Sequence, residues 1–437
     1  MNAPILKPSA LGELRAIVDR HKAGEPVGIT SVCSAHPLVI EATLAHARDR
    51  RLPLVLIEAT SNQVNQDGGY TGMTPAAFRD FVGAIADRVG FPRAQLLLGG
   101  DHLGPNAWIA LPAEQAMAKA EIMVAAYACA GFGKIHLDCS MRCADDPEVL
   151  CEAVIARRAA RLCQAAEAAA MAAGRPPPVD VIGTEVPVPG GAAEDLGELA
   201  VTHPDAMRAT LDIHRTAFAA HGLEQAWPRV IATVVQPGVE FDHDKVIDYR
   251  PDAARALGEA IEPVAHIVYE AHSTDYQTGP ALAALVRDHF AILKVGPGLT
   301  FALREAMWAL DSIEAEWIAE DRRANLRATT IALMKAEPRY WAAYYHAEGP
   351  ALMSQLQYSL SDRIRYYWAD ATLIAAQRKL FDNLRETPPP MALLSQFLPL
   401  AFNRARNSGG ATDPTALVIG HVSHTLDLYL DACSAHG

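Results

Sequence analysis

The feature that most constrains this chain is a recurrence: eight short strand-like runs, most of them apolar, each closing in a polar, Gly-rich or Pro-rich turn. The runs are 27–32, 54–57, 95–98, 134–137, 179–182, 230–235, 267–269 and 291–295. Continuous apolar character, as at Leu96, Leu97 and Leu98, is what strands covered on both faces show. Helical stretches separate them. Pro37 sits well in the first turn of a helix reaching about Arg51. Thr74 caps another, whose Phe78, Phe81, Ile85 and Val89 share one face at spacings of three and four. Helices over 112–130, 147–174 and 300–317 follow the third, fourth and eighth runs. Eight strand-helix units in about 310 residues predict an α/β fold, a closed (β/α)8 TIM barrel. A doubly wound open sheet would use fewer strands and usually a G-x-G-x-x-G turn after the first, which is absent.

Past about Asp321 the strand signals stop and segments such as 324–335, 340–346, 353–358 and 373–386 read as helices. We expect a barrel over 1–320 and an all-helical C-terminal extension over 321–437, packed on it. The aromatic stretch Arg363 to Trp368 either reaches over the barrel mouth or packs on its side.

Composition narrows the partners. A formal net charge of -13 argues against nucleic acid or an anionic membrane, since both reward clustered Lys and Arg. The N-terminus lacks a basic start followed by an apolar core, and no run reaches the ~18 apolar residues of a membrane span, so a cytoplasmic protein is expected. Seven cysteines without a CxxC pair fit reduced thiols.

In a barrel, residues just past the strand C-termini face one site. Here these are Cys33 and His36, Glu58 and Gln63, Asp101 and His102, Asp138, Glu185, Gln236 and Glu240, Glu270, His272 and Asp275, then Gly296 and Gly298. Carboxylates mixed with imidazoles are ligands for zinc, manganese or iron(II), so one divalent metal ion is expected, zinc before manganese. The expected ligands are His102, Glu185 and His272, with Asp138 as substitute or supporting carboxylate. Asp101, Glu185 and Asp138 are the candidates for moving protons. Gln63, Gln236, Glu270, Gly296, Gly298, Arg363 and Arg365 are the candidates for holding substrate. The Gly296-Pro-Gly298 turn either offers N–H groups to a phosphate or is a plain tight turn. Arg363 and Arg365 either add charge for a phosphate or form surface ion pairs. His136, inside a strand, reads as a core histidine, His266 lies at the barrel end away from chemistry, and Glu58 reads as a turn cap.

The stretches SVCSAHPLVIEA (31–42), LIEATSNQVNQDGGYTGMTP (56–75), GGDHLGPNAW (99–108), KIHLDCSM (134–141) and SDRIRYYW (361–368) carry a resemblance over nearly the whole chain. The chain resembles the Z-type subunit of class II tagatose-1,6-bisphosphate aldolase, the GatZ/KbaZ family. That resemblance implies a barrel protein of bacterial galactitol, tagatose or amino-sugar breakdown that supports a separate catalytic aldolase subunit, in an oligomer, with a sugar or sugar phosphate as ligand. Some relatives are called tagatose-6-phosphate kinase and others metal-dependent epimerases at carbon 4 of ketohexoses or their phosphates. A kinase should show a phosphate-cradling loop such as G-x-x-x-x-G-K-[ST], and none is present. Class II aldolases share the Asp-His pair after the third strand, matched by Asp101 and His102, and a seventh-strand histidine, matched by His272. Their eighth-strand histidine has no counterpart, because Gly-Pro-Gly stands there. A support subunit, in turn, has no need of acids and imidazoles at six strand ends, whereas an epimerase would use them.

Overall fold

The computed structural model describes residues 9–186, 199–407 and 412–434. Ten strands occur among them: β1 (Ile29–Cys33), β2 (Val55–Thr60), β3 (Leu96–Leu103), β4 (Lys134–Leu137), β5 (Val179–Ile182), β6 (Val230–Val234), β7 (Glu240–Phe241), β8 (Val246–Ile247), β9 (Val268–Ala271) and β10 (Ile292–Val295). Eight of them close a parallel barrel in the order β1-β2-β3-β4-β5-β6-β9-β10, with β10 pairing back onto β1 from Ile29 opposite Ile292 to Val32 opposite Val295. These are the eight runs read from the sequence. The extra pair, β7 and β8, is an antiparallel hairpin in the loop after β6 that the sequence reading did not anticipate.

Strand periodicity sorts the side chains into two layers. Val55, Ile57, Leu98, Ile135, Leu137, Tyr269, Leu293 and Val295 face outward into the core shared with the surrounding helices. Their neighbours Leu54, Leu56, Leu97, Val179, Val181, Ile231, Val268 and Ile292 fill the lower barrel interior. Helix Ala10–Lys22, capped by Ser9 whose Oγ accepts from the Gly12 N–H at 3.1 Å, places Leu14 and Val18 against that layer and plugs the bottom. Above it, the same inward period reaches charged residues instead of apolar ones.

The C-terminal helix Pro414–Ala432 belongs to the barrel wall. It packs on helices Pro37–Asp49, Gly279–Arg287 and Pro297–Trp317. Its Tyr429 hydroxyl donates to the Thr274 carbonyl at 2.8 Å, and the Gly28 N–H donates to the Cys433 carbonyl at 3.0 Å. The middle of the extension goes elsewhere. A short 3-10 turn, Arg363–Tyr366, is drawn over the mouth by a Tyr276 hydroxyl to Leu360 carbonyl bond of 2.5 Å and a Thr300 to Asp362 bond of 2.5 Å. All seven cysteines are free thiols, and among the described residues no helix is long and apolar enough to cross a membrane.

Candidate active site

The upper barrel interior is a layer of charge. Lys134 on β4 is fully buried, its Nζ 2.6 Å from Glu58 Oε1 and 2.7 Å from Glu270 Oε2. Lys294 on β10 lies 2.7 Å from Glu58 Oε2 and 3.4 Å from Glu270 Oε1, and it also pairs with Asp101. Two ammoniums and three carboxylates are thus locked together by geometry that satisfies each charge, which buried ions require. Burial alone would lower both lysines, yet Glu270 and Glu58 raise Lys134, while Asp101, followed by Cys33, Glu270 and Glu58, raises Lys294 well above the usual value. Burial likewise opposes ionisation of Glu270, but Lys134 and Lys294 hold it well below the ordinary carboxylate range.

GGDHLGP shapes the neighbouring wall. A Cβ on Gly99 would fall 2.6 Å from Glu58 Oε1, so glycine makes room for that carboxylate. At Gly104 a Cβ would come to 1.6 Å from the Asp138 carbonyl oxygen. The strand runs on through Asp101 and His102, with a register shift between Gly100 and Leu103, so the pair lies on β3 itself rather than beyond it. His102 takes the left-handed region at φ 48°, a conformation that costs a non-glycine residue about 1–3 kcal/mol. Ser273, Tyr276 and Asp362 adopt it too, at φ 53°, 67° and 42°, and Ser273 lines the same cavity as His102.

Three imidazoles meet here. The ring of His102 lies 4.8 Å from that of His272 and 5.2 Å from that of His136, and His136 and His272 are 5.1 Å apart. His102 Nδ1 is 2.7 Å from Asp138 Oδ2, and the other Asp138 oxygen accepts from the Ser140 N–H at 3.0 Å and its hydroxyl at 2.6 Å. That bond fixes the ring and leaves Nε2 turned to the site, the usual support for a ligating histidine. His136 Nδ1 is shared between the His102 N–H at 3.3 Å and Asp101 Oδ1 at 3.2 Å, and its buried Nε2 has no partner among the described residues. His272 Nε2 is 3.1 Å from Glu270 Oε1, and burial pushes this imidazole down to about 3. The potential ligand atoms of Asp101, His136, Glu270 and His272 all lie within 4.8 Å of one another. Nitrogen and oxygen donors with one orphaned imidazole nitrogen fit a divalent metal ion.

A cavity of about 700 Å³ opens above this floor. Asp101, His102, His272 and Lys294 line it from the barrel, Gln63 and Tyr70 from the loop after β2, and Arg365, Tyr366 and Trp368 from the extension. The aromatic stretch therefore roofs the mouth, with the Tyr366 ring 4.8 Å from that of Tyr70 and the Trp368 ring 6.0 Å from that of His36.

The structure assembles the expected residues only in part. Asp101, His102, Asp138, Glu270 and His272 come together, with Asp138 beneath the cavity wall as the carboxylate that orients His102. Glu185 does not join them: β5 ends at Ile182, and Glu185 is exposed, accepting from the Thr202 hydroxyl. Of the expected ligands His102, Glu185 and His272, His272 belongs to the group of Asp101, His136, Glu270 and His272, His102 stands beside that group with its ring 4.8 Å from that of His272, and Glu185 lies apart; His136, read from sequence as a core histidine, is the added member. Gln63 lines the cavity, its Oε1 accepting from the Thr60 N–H at 3.0 Å. Gln236 does not, because its Oε1 closes its own turn on the N–H groups of Gly238 and Val239 at 2.8 and 3.0 Å. The Gly296 and Gly298 N–H groups, read from sequence either as a phosphate site or as a tight turn, donate to Asp275 Oδ1 at 2.9 and 2.7 Å. Arg365 lines the cavity, whereas Arg363 is buried against the Tyr344 ring.

Residues 14–434 match the family described as D-tagatose-1,6-bisphosphate aldolase subunit GatZ/KbaZ-like. The chain belongs to this family. It is thereby a carbohydrate protein of the tagatose-bisphosphate aldolase type. A Sinorhizobium meliloti 1021 protein described as a probable tagatose 6 phosphate kinase is 50% identical, with 93% of this chain and 100% of that one covered and a TM-score of 0.85. The YdjI aldolase from Escherichia coli K12 is 12% identical, with 84% and 96% of the two chains covered and a TM-score of 0.41. The fructose-bisphosphate aldolase (Fba) from Campylobacter jejuni is 14% identical, with 87% and 93% covered and a TM-score of 0.42.

In this GatZ/KbaZ-like chain the residues that sequence reasoning passed over are Lys134, His136 and Lys294. The signal for them was present. Lys134-Ile-His136-Leu alternates polar and apolar at period two, which places both polar members on one face, and in Ile292-Leu-Lys294-Val the same period puts Lys294 on the face of Ile292, which fills the barrel interior.

Proposed function

We propose that this chain is itself a metal-dependent enzyme of ketohexose or ketohexose-phosphate chemistry that inverts carbon 4. The observation that carries this is a set of three adjoining buried imidazoles, His102 and His272 lining a cavity of about 700 Å³ and His136 packed against both with an Nε2 that has no partner among the described residues. His136, His272 and Glu270, whose ligand atoms lie within 4.8 Å of one another, would hold one divalent ion beside the His102 ring, zinc first and manganese second by donor type. When bound, such an ion supplies Lewis-acid polarisation of the ketose oxygens.

The chain's own groups supply the rest. Asp101, anchored by Lys294 and His136, faces the cavity and is placed to accept the proton of the carbon 4 hydroxyl. Its loss lets the bond between carbons 3 and 4 break, leaving an enediolate on the three-carbon piece and an aldehyde at carbon 4. The aldehyde turns its other face, carbon 3 adds to it again, and Asp101 returns the proton to the new alkoxide. No electrons are gained or lost overall and no nucleotide is consumed. Asp138 acts through His102, holding that ring in place. The reaction would serve the breakdown of tagatose or galactitol carbon in the cytoplasm.

A second reading, support of a separate catalytic aldolase chain, is favoured by the family's description as a subunit. It expects such a chain to co-purify and to gain heat resistance in this one's company. A kinase role, suggested by the description of the S. meliloti relative, lacks a glycine-rich lysine loop in this sequence. The test is an NMR assay of the purified protein, with zinc or manganese, on tagatose, fructose and their 6-phosphates. Conversion without nucleotide is expected. An unchanged spectrum, or conversion only with ATP, refutes the epimerase reading.

A further inference from the structure

Resting on the ketose reading above, we propose that the cavity roof is a subsite for a terminal anionic group of the ligand, read by Arg365 and Tyr366 of the extension. Barrels often hold phosphate on N–H groups after the last two strands. Here the corresponding donors, Gly296 and Gly298, are already satisfied by Asp275 at 2.9 and 2.7 Å. Recognition of an anion must therefore come from another wall, and the extension supplies the charge.

Arg304, Arg363 and Arg365 all act on Asp362, and Arg365 also acts on Asp275. Both carboxylates are committed, Asp362 to Thr300 at 2.5 Å and Asp275 to the glycine turn. Three guanidiniums thus stand against two occupied acids. Arg304 and Arg363 are 4% and 3% exposed, and each keeps Nε and Nη2 without a partner among the described residues. Their charges lie in aromatic surroundings, 4.1 Å from the Phe301 ring centre and 3.2 Å from that of Tyr344, where the field is weakly screened.

Tyr366 turns this surplus toward the cavity. Its oxygen accepts from Arg363 Nη1 at 3.3 Å and from Arg365 Nη2 at 3.0 Å, which fills both acceptor positions of a phenol. The hydroxyl proton is then free only for a third group. The ring cannot swing away, being stacked 5.0 Å from Tyr340 and edge-on at 4.8 Å to Tyr70. Tyr366 and Arg365 both line the cavity, and Arg378 adds a cation among its lining residues. Carboxylates and imidazoles occupy the floor, so a ketose with an anionic end is oriented, its carbonyl end down and its anion against the roof.

The test is calorimetric titration of the full chain, with and without zinc, using a free ketohexose, its 6-phosphate and the matching ketohexuronate, with inorganic phosphate as competitor. An anion-terminated ketose should bind at least about tenfold more tightly than the free one, as a charge-assisted hydrogen bond predicts. Y366F and R365K should abolish that advantage, read as the ratio of the two affinities in each variant, and R378Q reduce it. Whichever anion carries the advantage, phosphate or carboxylate, supports the subsite and identifies its ligand. Equal affinity for free and anionic ketoses overturns it, as does an advantage that survives undiminished in Y366F. Binding is read without turnover, so a protein that binds but does not epimerise refutes the function and leaves the subsite standing.

Discussion

Replacing Lys134 with methionine tests the charged layer on which the site is built. The side chain is fully buried and contacts Glu58 Oε1 at 2.6 Å and Glu270 Oε2 at 2.7 Å. Methionine fills similar volume, so the change is one of charge. Lys294 would then face Glu58, Glu270 and Asp101 alone, three carboxylates to one ammonium. Removing one partner of a buried pair costs about 3–5 kcal/mol, because the remaining charge is left uncompensated. Against a typical stability of about 5–15 kcal/mol, the variant should fold and unfold at markedly lower urea. One orphaned carboxylate should respond by taking up a proton, its folded pKa rising above the unfolded value of about 4.3. A raised carboxylate pKa gives stability that is present at low pH and lost as pH rises, so the deficit against wild type should shrink between pH 8 and pH 5.5. K134M combined with E270Q should recover part of the loss at pH 8. A deficit under about 1 kcal/mol, or one that is the same at both pH values, would refute a compensated ion cluster.

Three further outcomes follow from other contacts. Asp180 is fully buried beside Cys163, Glu167 and Arg229, and burial, reinforced by Glu167 and opposed by Arg229, pushes its carboxyl up to about 8. Its folded pKa exceeds the unfolded value of about 3.9, so it stabilises the fold below pH 4 and that contribution falls through the window up to pH 8 by about 1.4 kcal/mol per unit. D180N should flatten the pH dependence of urea unfolding between pH 5 and 8, and curves parallel to wild type would count against a neutral buried acid. Asp138→Asn should leave the fold intact but weaken zinc about 10–100-fold in a chelator competition titration, and unchanged affinity would remove Asp138 from the support of His102. Gly104→Ala must displace the Asp138 carbonyl, since its Cβ would fall 1.6 Å from that oxygen. It should lower stability by about 1–3 kcal/mol in thermal unfolding, and a melting point equal to wild type would refute the close approach.

The barrel was legible because most of its strands are short, mainly apolar runs separated by helix-length segments, and a parallel barrel buries both faces of each one. The site was only partly legible, for a physical reason. The rule that chemistry follows strand ends gives a residue's height on the barrel but not the direction of its side chain. Glu185 and His272 both follow a strand closely, yet one is exposed and the other lies within the cluster. Lys134, His136 and Lys294 lie within strands, where a charge reads as an exception, although the inward period carries it to the interior. The hairpin of β7 and β8 has two residues per strand, too few for any period to register. The place of Arg365 and Tyr366 over the mouth depends on contacts with Tyr70 and Tyr340, tens to hundreds of positions away in the chain, which no local pattern encodes.

Floor and roof differ in how they are made, and the difference bears on what each is suited to do. The floor is built on barrel strands, where Glu58, Lys134, Glu270 and Lys294 are fixed by hydrogen-bonded neighbours and by each other. Two ammoniums already balance most of the acid there, so the barrel does not depend on an added cation to hold its carboxylates together. The imidazoles are tied into that lattice, His272 to Glu270 at 3.1 Å and His136 to Asp101 at 3.2 Å, so a ligand for them acts on the structural charges as well. The roof is built from the extension, tied to the barrel by hydrogen bonds such as those of Tyr276 and Thr300 and by Ile364, Tyr367 and Trp368, which are buried in the shared core. Placing reactive groups on the rigid part and end-group recognition on the added part lets one change without disturbing the other. That division makes the SDRIRYYW turn, rather than the Gly-Pro-Gly turn after β10, the segment whose sequence should decide which end group the proposed subsite takes.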